Sequence, residues 1–319
     1  PEGNILNEDQ IKKVHLRHEE MNIFSKRSIF FQKQNSVIAI GEVYINQGDT
    51  LKLYCDSLNY NGTNKKMYAH GNVKLLNNEM ELNSKNLELN RVNNEAFFYD
   101  GGRIIDSLSD ISSINGKYFI DNKKYVFKND VVVKDQDRLI ESEMMDYYLD
   151  SEKTYFYKKT SIYGDGYVIK CNSGFYEPRN KQGIFVDNAS IDFDSREIYG
   201  DSIFFDEDKG YSSISNNIKI IDTNENLILN GEFAEFFQEK DSAIITKNPL
   251  AINILKNDSL FIKADTLFSV GKEDMRKMRG LNNVMFVQGN LSGKSDYIQV
   301  DKKSGITTML RKKISEKIG

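Results

Sequence analysis

The 319-residue chain has no tryptophan, two cysteines, three prolines and three histidines. It has no run of eighteen apolar residues, which leaves out a membrane-spanning helix. Its start, PEGNILNEDQ, has no signal-peptide hydrophobic region. No charge sign dominates: the net charge is −4 with both signs spread along the chain, so there is no basic footprint for nucleic acid. The prolines, Pro1, Pro178 and Pro249, are too few to break the chain into loops. Aromatic and β-branched residues are plentiful instead, and the composition is that of a folded, strand-rich protein.

What the chain does have is repetition. One register reads apolar, any, small, polar, any, apolar, any, aromatic or apolar. Its copies are LYCDSLNY (53–60), LNSKNLEL (82–89), IESEMMDY (140–147), IKCNSGFY (169–176), IYGDSIFF (198–205), LNGEFAEF (229–236) and IKADTLFS (262–269). INGKYFID (114–121) is a weaker copy and GKSDYIQV (293–300) a last one. The small slot falls at Cys55, Ser84, Gly116, Ser142, Cys171, Gly200, Gly231, Ala264 and Ser295, eight steps averaging 30 residues. A second register, marked by the valine of Gly-Asn-Val, runs through Val43, Val73, Ile104, Val131, Ile162, Ile191, Ile218, Leu250 and Val284 with about the same period.

Polar turns such as NGTNKK, NRVNNE, DEDKG and DKKSG separate the registers, so each unit is strand, turn, strand. Connections this short impose antiparallel pairing. Only the ends, NEDQIKKVHLRHEEM and TTMLRKKISEKIG, could be short helices or frayed caps. The division that follows is an N-terminal cap and first strand over 1–36, a repeat domain over 37–301 and a C-terminal tail over 302–319.

Alternation assigns the faces. Met67, Ala69, Val73 and Leu75 share one side, while Tyr68, His70, Asn72 and Lys74 share the other. In LYCDSLNY the phase slips by one residue between Cys55 and Leu58, and the slip recurs in nearly every copy. A bulge or corner at the small-polar pair accounts for it. The inward stripe takes Leu53, Leu58, Val73, Leu75, Leu82, Leu87, Val131, Ile140 and Met145 from the first half of the chain. From the second half it takes Ile169, Ile191, Ile198, Ile203, Ile218, Ile220, Leu229, Phe236, Ile262, Leu267 and Val284. The expected fold is all-β: an elongated antiparallel solenoid of about nine 30-residue repeats, each resting on its neighbours.

GDTLKLYCDSLNYNGTNKKMYAHGNVKL, with its Cys-Asp-Ser-x-x-Tyr and Ala-x-Gly-Asn-Val signatures, resembles the OstA-like, LptA-type periplasmic proteins of lipopolysaccharide transport. The bacteroidete OstA-like branch is the nearest in pattern, which extends over roughly residues 37–300. Later copies lose the letters, as at Lys159-Thr160, where Gly-Asn would stand. The resemblance implies a β-jellyroll or "β-taco" with an open slit, whose apolar groove takes lipid A acyl chains along the inward stripe. It further implies a periplasmic location, association with the inner or outer membrane through partners, contacts with other Lpt-type jellyrolls through edge strands, and self-association. No cofactor, metal or catalytic residue is implied.

The residues offer little chemistry of their own. His15 and His18, three apart on a helix, could hold a metal, but a solvated face accounts for them better; His70 reads as a surface residue. Asp192 and Asp194, alternating with Phe193, could form a calcium site, against the plainer reading of an exposed edge. Asp206-Glu207-Asp208 reads as a hairpin turn. Cys55 and Cys171 occupy one slot four repeats apart, which separates them by about 19 Å or more, beyond the reach of a disulfide. Both read as free, buried small residues. Two rivals to a lipid conduit remain: a structural or adhesive β-solenoid with a solid core, and a carbohydrate-active β-helix, against which the hairpin turns argue.

Overall fold

The computed structural model describes residues 13–311 apart from 49–50, 78–79, 107–108, 135–137, 257, 272–274 and 302. These fall into two compact units, one up to Lys158 and one from Lys159 on. Both are built of antiparallel strands. In the first unit Ser36–Gln47, Leu51–Asn61, Lys66–Asn77, Met80–Asn90 and Glu95–Asp106 pair in chain order. In the second, Gln182–Phe193, Arg196–Asp206, Tyr211–Asp222 and Leu227–Phe237 do the same. Among the described residues no α-helix forms; Gln32–Gln34 and Pro178–Asn180 are short 3-10 segments.

Where the two ends are described they form strands and not helices. Val14–His18 pairs with Met21–Ser25 around a turn in which Glu19 is left-handed, and Ile306–Leu310 pairs with Tyr297–Asp301. Cross-strand pairing next to a sheet overrides a weak helical pattern. Residues 7–12 and 312–319, which carry the rest of those segments, lie outside the described residues.

Hairpins close in a recurring way. Asn61 Oδ1 accepts the N–H groups of Thr63 and Asn64, and left-handed Lys65 returns the chain. Asn90 does the same for Val92 and Asn93 before left-handed Asn94. This is the side-chain turn chemistry that makes Asn and Asp frequent at such positions.

Each long strand bends at its middle. In one strand of most pairs the bend is two consecutive left-handed residues: Gly41-Glu42, Gly71-Asn72, Asp100-Gly101, Asn129-Asp130, Asp187-Asn188, Asn216-Asn217, Lys247-Asn248 and Asn282-Asn283. Gly, Asn and Asp tolerate this backbone best. At Gly71 the need is twofold, since φ is +74° and the space a β-carbon would take is filled by the Asp56 carboxylate. Pairing slips at each bend, as between Ile40 and Val43.

In the other strand of the pair the bend follows the small slot. Ser25, Ser84, Ser113, Ser142 and Ser295 each donate Oγ–H to the carbonyl two residues on, at 2.9 to 3.2 Å. Thus the slot of the weak third copy is Ser113 rather than Gly116. The strand there is divided into Asp110–Ser113 and Asn115–Phe119, which displaced the pattern by three residues. Ser25 supplies an earlier copy of the slot within the region read as cap and first strand. The residue after the slot sends its N–H to the first left-handed residue of the next strand: Lys26 to Gly41, Ile114 to Asn129, Asn172 to Asp187 and Asp265 to Asn282, at 2.9 to 3.0 Å.

The two registers therefore meet in one rung. Val43 lies opposite Cys55, Val73 opposite Ser84, Val131 opposite Ser142, Ile218 opposite Gly231 and Val284 opposite Ser295. In three copies the slot's partner is instead Gly102, Thr160 or Ala189, and the aliphatic Ile104, Ile162 or Ile191 sits one inward position further.

Candidate functional site

The inward stripe is continuous from strand to strand. In the first unit one inner row runs Ile23, Ile45, Leu53, Leu75, Leu82, Ile104, Ile111, Val133, Ile140, each directly opposite the next. All nine are buried aliphatics. On the other side of the bend Leu58, Ala69, Leu87, Phe98, Gly116, Phe127 and Met145 form a second row. The Phe98 ring fills the room beside Gly102 and Gly116, which is why neither position carries a side chain.

The second unit repeats the arrangement with Ile162, Ile169, Ile191, Ile198, Ile220, Leu229, Ala251 and Ile262. Past the bend stand Phe185, Ile203, Ile214, Ala234, Ile245 and Leu267. The slot glycines Gly200 and Gly231 lie directly under the methyl groups of Ile214 and Ile245.

Of the twenty residues expected in the groove, nineteen are buried and Phe236, near the end of its strand, is half-buried. Leu53, Met145 and Ile203 are wholly covered, so the inward side chains are closely packed. Sequence reasoning missed Ile23, Ile45, Ile111 and Val133 as members of the same row. Their alternation was present, but the row itself is a property of pairing between strands.

The interior has almost no charge to arrange. Its two thiols, Cys55 and Cys171, are free and buried; burial pushes both up to about 12, the Asp56 charge adding to this at Cys55. Polar order is concentrated outside the bends. Asn72 Nδ2 donates to Asp56 Oδ2, Asn217 to Asp201 and Asn283 to Asp265, at 2.8 to 2.9 Å. Each acid follows a slot residue and each amide is the second left-handed residue of the adjacent strand.

The candidate metal ligands are not assembled. His15 lies on a strand, its Nε2 3.0 Å from Asn22 Oδ1 and its ring stacked on Phe24. His18 Nδ1 is 2.7 Å from the Tyr60 hydroxyl. His70 is exposed with Nδ1 2.8 Å from Asn86 Oδ1. Asp192 is engaged by Lys170 at 2.7 Å, whereas Asp194 sits in the following turn with φ +51°, so the two do not form an alternating pair. Asp206 ends its strand, and the hairpin turn follows as expected.

Residues 4–143 match the family model described as OstA-like protein. This stretch is OstA-like. The same staple recurs past the matched residues, in the Asn217–Asp201 and Asn283–Asp265 pairs of the second unit. Among solved structures, the chain is similar to LptH of Pseudomonas aeruginosa, described as the LptA-homologous periplasmic component of the lipopolysaccharide transport device. The identity is 12%, over 40% of this chain and 74% of LptH, with a TM-score of 0.20. A search of the curated proteins returns no match.

Proposed function

We propose that this OstA-like protein is a periplasmic conduit for lipopolysaccharide, holding lipid A acyl chains between its inward rows while the sugars stay outside. The observation that carries the reading is the unbroken aliphatic row from Ile23 to Ile140, lying within the OstA-like stretch. An acyl chain gains about 0.8 kcal/mol for each methylene it removes from water. Because the row is continuous and chemically uniform, no rung holds the chain in a deep well, and movement along it is easy. To admit a chain, the packed inward side chains must part; the bends, where pairing already slips, are where they can.

The protein supplies no energy of its own in this reading, since the sequence has no phosphate-binding loop. It acts as a carrier and not as an enzyme. Partners are other jellyrolls of the same kind and further copies of itself, joined through edge strands. Val14–His18 and Ile306–Leu310 each pair on one side only among the described residues, and an open edge takes a further strand readily.

The reading is tested by purifying the full chain without detergent from a lipopolysaccharide-producing host and analysing the bound lipid by mass spectrometry. Lipid A species should accompany the protein in stoichiometric quantity. Protein free of lipid, and unable to take it up from added lipopolysaccharide, would favour the solid-core alternative.

A further inference from the structure

The outward face of the second unit carries a row that the conduit does not use. Ile221, Ile228, Ile252, Phe261 and Val287 lie directly opposite one another on five successive strand segments. They belong to the solvent side: their neighbours Ile220, Ile262 and Phe286 point inward and are buried, while Phe261 is 41% and Val287 45% exposed. Ile254 and Met285 widen the patch and are exposed to a similar degree. The corresponding outer row of the first unit is Asn46, Lys52, Leu76, Glu81, Ile105 and Asp110, a mixture with no apolar run.

One margin of the patch, toward the bend, is basic. Lys219, Lys263 and Lys294 stand on the adjacent outer row with Asn230, Leu250 and Met285 between them. All three are exposed, and none has an ion-pair or hydrogen-bond partner among the described residues. The acids nearby are occupied: Glu197, at the far end of the apolar row, accepts from the Tyr199 hydroxyl, and Asp265 accepts from Asn283.

We propose that this face lies against an anionic lipid surface. Five adjacent strand segments present one open face of a sheet rather than a cleft, which fits a bilayer boundary. Apolar side chains with a flanking lysine margin match the acyl edge and the anionic headgroups respectively. A second copy docked on the same face by a two-fold axis would bring the same two rows, Ile221 to Val287 and Lys219 to Lys294 across the strands, which hold three lysines and no acid. The surface is separate from the inward rows, and the inference does not depend on what they carry.

The test uses the full chain and flotation with vesicles of phosphatidylglycerol mixed with phosphatidylcholine, compared with phosphatidylcholine alone. The protein should float with the anionic vesicles only, and be released when salt is raised to about 1 M, where charges are screened within about 3 Å. Replacing Lys219, Lys263 and Lys294 together by Gln should weaken binding by roughly tenfold or more. Phe261→Ser with Val287→Ser, at exposed positions that leave the interior intact, should do the same. A control replacing Lys33, Lys52 and Lys85 of the first unit by Gln makes the same change in net charge and should leave binding unaltered. Failure of the unaltered protein to float, or equal loss in the control, would overturn the proposal. So would a dimer abolished by the Phe261 and Val287 changes without any vesicle binding.

Discussion

The Asn72 side-chain amide donates to the Asp56 carboxylate across 2.9 Å, from one strand to the next, on the outside of the bend. Asp56 follows the slot residue Cys55, and Asn72 precedes Val73, which fills the first inward position past the corner. The two sequence signatures, Cys-Asp-Ser and Gly-Asn-Val, are thus halves of one staple. It fixes where each strand turns, and hence which side chains face inward.

A double-mutant cycle on this pair should show coupling. Asp56→Ala and Asn72→Ala should each cost about 0.5–1.5 kcal/mol in urea unfolding, and the double variant less than their sum. Asn72→Val should cost a further 1–2 kcal/mol or roughly so, because φ is +46° there and a branched side chain resists the left-handed region.

Space at the slot is as demanding as its hydrogen bond. Gly200→Leu should lower stability by about 1–3 kcal/mol, since the Ile214 methyl already occupies the position. Cys55→Ser should be tolerated to within about 1 kcal/mol, because serine fills the equivalent slot at Ser25, Ser84 and Ser142 with its hydroxyl satisfied. Thermal melts of the two variants separate the effects.

Both thiols are held protonated by burial, with values pushed up to about 12. An aromatic disulfide reagent at pH 8 should leave the folded protein unlabelled. After unfolding without reductant it should label two thiols per chain, since both cysteines are free. A single labelled thiol, or none, would mean that one of these assignments is wrong.

Acid sensitivity should centre on Asp222. Burial pushes its carboxyl up, but the Glu225 N–H, the Arg196 guanidinium and the Ser195 hydroxyl outweigh this and hold it below the usual range. A depressed carboxyl contributes stability above its unfolded value, about 3.9, and that contribution disappears as pH falls through the folded value. Asp222→Ala removes the shared partner of Arg196 and Arg276 and should cost about 3 kcal/mol at pH 7. It should also flatten the decline in stability of the second unit below pH 4, followed by thermal melts across the acid range.

Much of this architecture is legible in the residues because a bend repeated every thirty residues leaves a phase slip in the alternation. Leu53 and Cys55 against Leu58 and Tyr60 show the slip directly, and the structure places all four inward. What escaped is what pairing alone decides. The slot at Ser113, and not Gly116, is hidden in the residues because that strand is broken at the bend. The Asp56–Asn72 staple joins residues sixteen apart, and neither residue type by itself announces a partner. His15 and His18 match a helical spacing, but the hairpin with Met21–Ser25 claims them for a strand. Of the inward rows, the residues are readable, but not their packing: alternation reports which side chains share a face and says nothing of how closely the rows meet.

The most direct measurement is site-specific photo-crosslinking to lipopolysaccharide during transport in cells. The probe is placed in turn at Leu53 and Ile203, wholly buried and inward, and at Lys74, outward and paired with Glu81. Val73→Asp serves alongside, since a carboxylate beside the slot should weaken acyl-chain capture at a cost of several kcal/mol unless it reaches water. Labelling from Leu53 and Ile203 but not from Lys74, and reduced by Val73→Asp in a chain that still folds, is the expected result. Labelling indifferent to the inward and outward positions, or absent from correctly folded protein, would contradict the conduit.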